Sequence, residues 1–217
     1  MRWRPDSIKA RANLALGLGR QGRHAEAEAA YREALDVKPG HPALHRGLAV
    51  SLYWQGRYDE AEAAFLEAIR VKPDYVRAHC DLGELFTEQR RFDRAEGAYR
   101  AAVMLRPDSS RALSALGAAI LAQERPAEAE AVCREAIAID PQHPRAHITL
   151  WAVLAAQDKH VELEQAARVV IALTPEQPEA YGRLGQALAA QGRHEEAAAA
   201  FDRQRALTSR ENSSSSR

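Results

Sequence analysis

Apolar residues recur in pairs four apart: Leu14 and Leu18, Leu48 and Leu52, Leu82 and Phe86, Leu116 and Ile120, Leu150 and Leu154, Leu184 and Leu188. Four residues is close to one helical turn, so each pair marks one face of a helix. A second stripe follows each of the first three pairs, as Ala27, Tyr31 and Ala34, then Ala61, Phe65 and Ala68, then Ala95, Tyr99 and Ala102. Each unit therefore reads as two helices. Pro39, Pro73, Pro107, Pro141 and Pro175 close the second helix, because the ring and the missing N–H disfavour continuation. Gly22, Gly56 and Gly192 supply the turn between the helices.

Successive prolines are 34 residues apart (73 − 39 = 34, and likewise for the rest), with no insertion or deletion across four intervals. Such a register identifies a repeat array of six units, 8–41, 42–75, 76–109, 110–143, 144–177 and 178–211. Residues 1–7 form a lead-in, and residues 212–217 end a polar, Ser-rich tail expected to be disordered. Small residues recur in columns where two helices meet, at Ala15, Ala49, Gly83, Gly117 and Gly185 and at Ala27, Ala61, Ala95, Ala129 and Ala197. One hairpin cannot fold alone. Ordering the backbone costs about 1–2 kcal/mol per residue, whereas a buried Leu or Phe returns only about 1.5–3 kcal/mol. Stacking on neighbours supplies the missing buried area, which is why the chain repeats itself.

Lys plus Arg and Asp plus Glu each number 30 of 217 residues, so the net charge is zero. A general nucleic-acid binder needs a basic excess, and so does a polybasic membrane patch; neither is present. Cys80 and Cys133 are too few for a disulfide framework and match no zinc spacing. The opening "MRWRPDSIKA" lacks the apolar stretch of a signal peptide, and no apolar run approaches spanning length. A soluble, cytoplasmic protein without membrane insertion is the resulting expectation.

Little in the chain suggests catalysis, a metal or a cofactor. His45, His79 and His147 occupy equivalent places, which on adjacent helices lie roughly 8–10 Å apart, too far to share one ion. They read as packing residues, as do His24 and His194, which align with Tyr58 and Phe92. No phosphate loop, HExxH or GxSxG occurs. Cys133 takes the place of Tyr31, Phe65, Tyr99 and Phe201 and is expected to be buried, whereas Cys80 is a groove candidate. Glutamate pairs such as Glu26 and Glu28 read as a solvated face.

Arg11 at one end and Gln204 at the other suit the exposed faces of terminal repeats, with Trp3 covering part of the first. Repeat five departs from the small-residue columns three times, at Trp151, Leu163 and Val170. Two readings fit: a wider hairpin that is packed solid, or a kink, partner pocket or dimer contact near Trp151.

Leucine, small residue, aromatic or aliphatic, glycine, alanine, aromatic, alanine and proline at these spacings resemble the tetratricopeptide repeat family, over residues 8–211. "AHCDLGELF" and "LHRGLAVSLYWQG" resemble in particular the arrays of O-GlcNAc transferases. The resemblance implies an all-α, right-handed solenoid of six hairpins whose first helices line a concave groove. That groove would hold an extended peptide or a partner helix. Carried onto this chain, one groove column is Lys9, Ala43, Arg77, Arg111, Arg145 and Glu179; another is Asn13, Gly47, Asp81, Ala115, Thr149 and Arg183. Arg46, Tyr53, Trp54 and Glu84 complete the candidate set. An arginine ladder suits an acidic partner segment, and the alternative is that the arginines pair with glutamates of neighbouring repeats. The family's lysine–asparagine clamp for chaperone tails is not supplied, and of its asparagine ladder only Asn13 is present. The implied function is a non-enzymatic protein-interaction scaffold. The alternatives are the substrate-recruiting arm of a glycosyltransferase-like enzyme and a self-assembling module that forms a homo-oligomer.

Overall fold

The computed structural model describes the backbone of residues 8–215 and the side chains of residues 8–210. The described residues form twelve α-helices and no strand. The first helices of the hairpins are α1 (Ile8–Arg20), α3 (Pro42–Trp54), α5 (Val76–Glu88), α7 (Ser110–Leu121), α9 (Pro144–Ala156) and α11 (Pro178–Ala190). The second helices are α2 (His24–Val37), α4 (Tyr58–Val71), α6 (Phe92–Leu105), α8 (Pro126–Ile139), α10 (His160–Leu173) and α12 (His194–Ser215). The expected all-helical repeat architecture is present, arranged in two compact units, Met1–Pro107 and Asp108–Arg217. Each unit holds three hairpins. Within the first, α2 packs on α3 and α4 on α5, with α1, α3 and α5 side by side; within the second, α8 packs on α9, α10 on α11, and α7 lies beside α9. Trp3 and the rest of the lead-in lie outside the described residues, and α12 runs on past the boundary placed at residue 211.

The helix ends follow from local sterics. The residue before each periodic proline cannot stay helical, because the ring crowds its backbone. Lys38, Lys72, Arg106, Asp140 and Thr174 accordingly take φ between −134° and −144° with ψ between 77° and 91°. The hairpin turn needs one left-handed residue. Gly22, Gly56 and Gly192 provide it at φ of 73° to 77°, as expected, but Arg90, Glu124 and Asp158 hold the same place at 56° to 60°. An L side chain there costs about 1–2 kcal/mol, partly offset by the entropy glycine loses on folding. Glu124→Gly is therefore expected to raise the unfolding free energy by about 0.5–1 kcal/mol, read from the urea midpoint.

The glycine column is a set of sockets for aromatic rings. A Cβ on Gly83 would fall 2.6 Å from Tyr99, and one on Gly185 2.7 Å from Phe201. At Gly117 the neighbour is Cys133 Sγ at 2.7 Å, with Thr149 Cγ2 at 3.8 Å. The smaller cysteine leaves room that a threonine of the next repeat enters. Gly47 does the same work between repeats, since a Cβ there would lie 2.4 Å from the Tyr31 ring. The alanine column is sealed, with Ala27, Ala61, Ala95 and Ala129 fully buried.

Repeat five inverts this arrangement. Trp151 stands in the glycine column and is 2% exposed, while Ala167, fully buried, stands where the other hairpins carry Tyr31, Phe65, Tyr99, Cys133 and Phe201. The aromatic bulk has moved from the second helix to the first. Leu163 and Val170 on α10, the other two enlarged positions, are buried as well, at 2% and 0% exposure. The indole Nε1 has no hydrogen-bond partner among the described residues, so Trp151 serves through its apolar area.

The equivalent histidines are latches. Nε2 of His45, His79 and His147 lies 2.5, 2.9 and 2.9 Å from the carbonyl oxygens of Pro39, Pro73 and Pro141. A carbonyl only accepts, so each imidazole carries its proton on Nε2. In repeat six Tyr181 donates its hydroxyl to the Pro175 carbonyl at 3.1 Å. Packing alone does not describe this column: at these four places it ties the linker to the helix that follows, whereas Leu113 after Pro107 packs without such a bond.

Candidate functional site

Many of the surface charges are structural. Glu28 Oε2 accepts from Arg57 Nη1 at 2.6 Å and from Gln55 Nε2 at 2.9 Å, while its other oxygen accepts from Arg32. Glu62 accepts from Arg91 and Arg94 at 2.8 and 2.7 Å. In the second unit Glu130 accepts from Lys159 and Gln157, and Glu164 from Arg193 and Gln191. Each carboxylate belongs to one repeat and its main donors to the next, so the set is an ionic clamp at repeat junctions. Burial alone would raise the Glu28 and Glu164 carboxyls, but their donors win and hold both below the ordinary range. At Glu130 the bond from Lys159, then that from Arg134, lowers the carboxyl to about 2. Glu28 is thus a junction residue, where a solvated face was expected. The signal lay in the sequence, as glutamates at 34-residue intervals with Gln and Arg or Lys 27 and 29 residues further on.

The candidate residues divide between the two units. On the first, Lys9, Asn13 and Arg77 are exposed. Arg46 is part-buried and committed: its Nε donates to Asp81 Oδ2 at 2.5 Å, bridging α3 and α5. Burial disfavours that guanidinium's charge, but Asp81 and then Tyr75 outweigh it and raise its pKa. Glu84 is half-buried, and its charge is felt at the Tyr53 hydroxyl. On the second unit Arg111 and Arg145 are exposed, and Arg183 donates to Gln186. The asparagine-ladder positions are occupied in other ways. Gly47 faces the Tyr31 ring, Asp81 takes Arg46, and Thr149 is buried with its hydroxyl donating to the Arg145 carbonyl.

Tyr53 and Trp54 are brought together as an aromatic platform. Trp54 is 64% exposed yet held on two sides, stacked on His24 at 5.8 Å between centroids and met edge-on by Tyr53 at 5.4 Å. Tyr58 extends the cluster beyond Tyr53 at 5.8 Å. Burial, then the negative charge of Glu88, raises the pKa of the Tyr53 hydroxyl. His24 thus stacks as its alignment suggested, whereas His194 is exposed. Trp54 and His24 edge a cavity of about 250 Å³ between α1, α2 and α3, floored by Ala15, Tyr31 and Gly47 and rimmed by Leu16 and Arg20. Leu16 and Leu14 are 48% and 59% exposed, so this end of the first unit is less polar than a terminal repeat was expected to be.

A larger cavity, about 350 Å³, lies in the second unit between α8, α9 and α10, walled by Ile137, Leu150, Leu154 and Val169. It recurs one repeat later beside Tyr181, Leu184 and Leu188. A groove that reappears at the next junction reflects stacking of any two repeats. The cavity under Trp54 is lined by Trp54 and Leu16, whose registers hold other residue types in every other repeat.

Cys133 is fully buried, and burial, with a smaller contribution from Glu130, pushes its thiol up to about 12. Cys80 is half-buried on α5. A thiol reagent at pH 8 is expected to modify Cys80 alone in the folded protein and both cysteines in urea, counted by mass spectrometry. Equal reactivity under native conditions would contradict the buried placement. Among the described residues no group of three or more His, Cys, Asp or Glu could hold a metal ion. No described helix is long and apolar enough to cross a membrane.

A family model described as tetratricopeptide repeat matches residues 12–76, 49–109, 80–144 and 162–209. Comparison with curated proteins gives no significant match. Among solved structures, the pilF protein of Pseudomonas aeruginosa superposes with a TM-score of 0.78 at 20% identity, over 89% of this chain and 88% of that one. MamA gives 0.71 at 21% identity, over 76% of this chain and 97% of the other. YrrB, described as a TPR protein with an unusual peptide-binding site, gives 0.66 at 16% identity, over 82% and 91%. At these identities the likeness is one of fold.

Proposed function

The chain belongs to the tetratricopeptide repeat family, and from that premise we propose that it is a non-enzymatic interaction scaffold, holding an extended peptide segment of a partner protein against its first helices. The observation that carries this reading is Trp54. A tryptophan two-thirds exposed, yet fixed by His24 and Tyr53 beside an apolar cavity, is costly to leave in water and ready to bind. Rigid aromatic anchors of this kind dominate binding energy at interfaces. Lys9 and Arg77 on the first unit, and Arg111 and Arg145 on the second, add exposed cations suited to acidic segments. YrrB, a neighbour in fold, binds peptide at a site called unusual, which supports the class of ligand and leaves its sequence open.

Self-assembly by head-to-tail stacking is disfavoured by one residue. The clamp needs a glutamate on each second helix, and repeat six has Ala198 there.

The test is selection from a random-peptide display library on the intact chain, followed by binding of the enriched peptides to two variants. Trp54→Ala is expected to weaken them by about tenfold or more. Arg77→Glu, on the same unit, is expected to weaken the acidic ones with helicity unchanged. Failure to enrich any peptide, or binding indifferent to both variants, would overturn the scaffold reading.

A further inference from the structure

Arg20, Trp54 and Glu88 are the last residues of α1, α3 and α5, spaced 34 apart, and all three are exposed. The same column in the second unit reads Ala122, Ala156 and Ala190, also exposed. One register of the repeat is thus cation, aromatic and anion in one unit and featureless in the other. Arg20 and Trp54 rim the same cavity. No ion pair is described for Arg20 or Glu88, in contrast to Arg46 and Asp81, which neutralise each other nearby. Glu88 is moreover on the wrong end of its helix. A carboxylate at a helix C-terminus faces the negative pole of the backbone dipoles, and a cation there would relieve it. Arg20 suits its own helix end and still presents its fork to solvent, where it can take a carboxylate.

We propose that this column reads the charge order of a bound peptide: an acidic side chain at Arg20, a large apolar one in the slot beside Trp54, and a basic one at Glu88. The inference rests on the peptide-binding reading above and adds the chemistry of the partner. Adjacent first helices are about 8–10 Å apart, and an extended chain advances about 3.3 Å per residue. Each step along the column therefore spans about three residues, so the basic position follows the acidic one by about six. Acidic segments alone satisfy the exposed arginines elsewhere on the chain but leave Glu88 facing a like charge.

The probes are three capped, fluorescently labelled peptides of seven residues with leucine at the centre and serines between. They carry glutamate and lysine at opposite ends, glutamate at both, or lysine at both. Fluorescence anisotropy is expected to show the mixed peptide bound about five- to tenfold more tightly than either uniform one. Glu88→Lys shifts the preference to the glutamate-only peptide and Arg20→Glu to the lysine-only peptide, while Trp54→Ala weakens all three. Circular dichroism confirms that each variant is folded. Equal binding of the three peptides, or a preference unmoved by Glu88→Lys, overturns the charge-order inference. If display-selected peptides bind this face without that order, the inference falls and the scaffold reading stands; if no peptide binds at all, both fall.

Discussion

Trp151→Gly is expected to destabilise the α9–α10 hairpin by about 3–5 kcal/mol, and adding Ala167→Phe to the same chain is expected to restore well over half of that loss. The first change removes a side chain that is 2% exposed and leaves a cavity between two helices. The second supplies a ring from the opposite helix, reproducing the pairing of Gly185 with Phe201 one repeat later. Ala167→Phe alone should overpack the hairpin at a cost of about 1–3 kcal/mol. The two positions are thus predicted to be strongly coupled, with the double variant far better than the sum of the singles. Hydrogen exchange of the α9 and α10 amides reads the effect locally, which suits a repeat protein whose units need not unfold together. A double variant no more stable than Trp151→Gly would show that the two side chains do not share one space.

Acid is expected to open the junctions between repeats, and Glu130 is the place to see it. Its carboxylate accepts from Lys159 Nζ at 2.6 Å, Arg134 Nη2 at 2.7 Å and Gln157 Nε2 at 2.8 Å, which together lower it from an ordinary value of 4.5 to about 2. A carboxyl depressed in the folded state stabilises it fully above its unfolded value, and that contribution is lost as pH falls through the folded value. The loss should therefore fall between about pH 4.5 and 2. Glu130→Gln keeps the shape without the charge. At pH 7 it is expected to cost about 1–2 kcal/mol, since Lys159 and Arg134 keep partial access to water. Urea midpoints of the two proteins should converge as pH approaches 2. A gap that stays constant from pH 7 to 2 would mean that the clamp contributes nothing through its charge.

The architecture was legible because one number, 34, fixes the helices, turns and stacking partners at once. What escaped single-column reading were relations between columns. Trp151 read as an enlargement because Ala167, its compensation, sits 16 residues away on the other helix. Arg46 read as a groove cation because its neutraliser, Asp81, belongs to the next repeat, 35 residues on. The histidine latch escaped because its partner is a backbone carbonyl, which no side-chain pattern announces. Non-glycine turn residues such as Arg90 were hidden as well, since the hairpin is held by enough packing to impose a left-handed φ without glycine. At the candidate site, the prominence of Tyr53 and Trp54 was readable from residue type and position. The support that fixes Trp54 was not, because it comes from His24 on a helix of the preceding repeat.

A partner segment seated along the first helices of the first unit, over Trp54, would leave its imprint on individual residues. Nuclear magnetic resonance shift mapping of the isotope-labelled chain with a display-selected peptide reads that imprint. Perturbations are expected to cluster at the C-terminal halves of α1, α3 and α5, with the Trp54 indole among the largest. Perturbations confined to the second helices, with the Trp54 indole unmoved at saturating peptide, would contradict that seating.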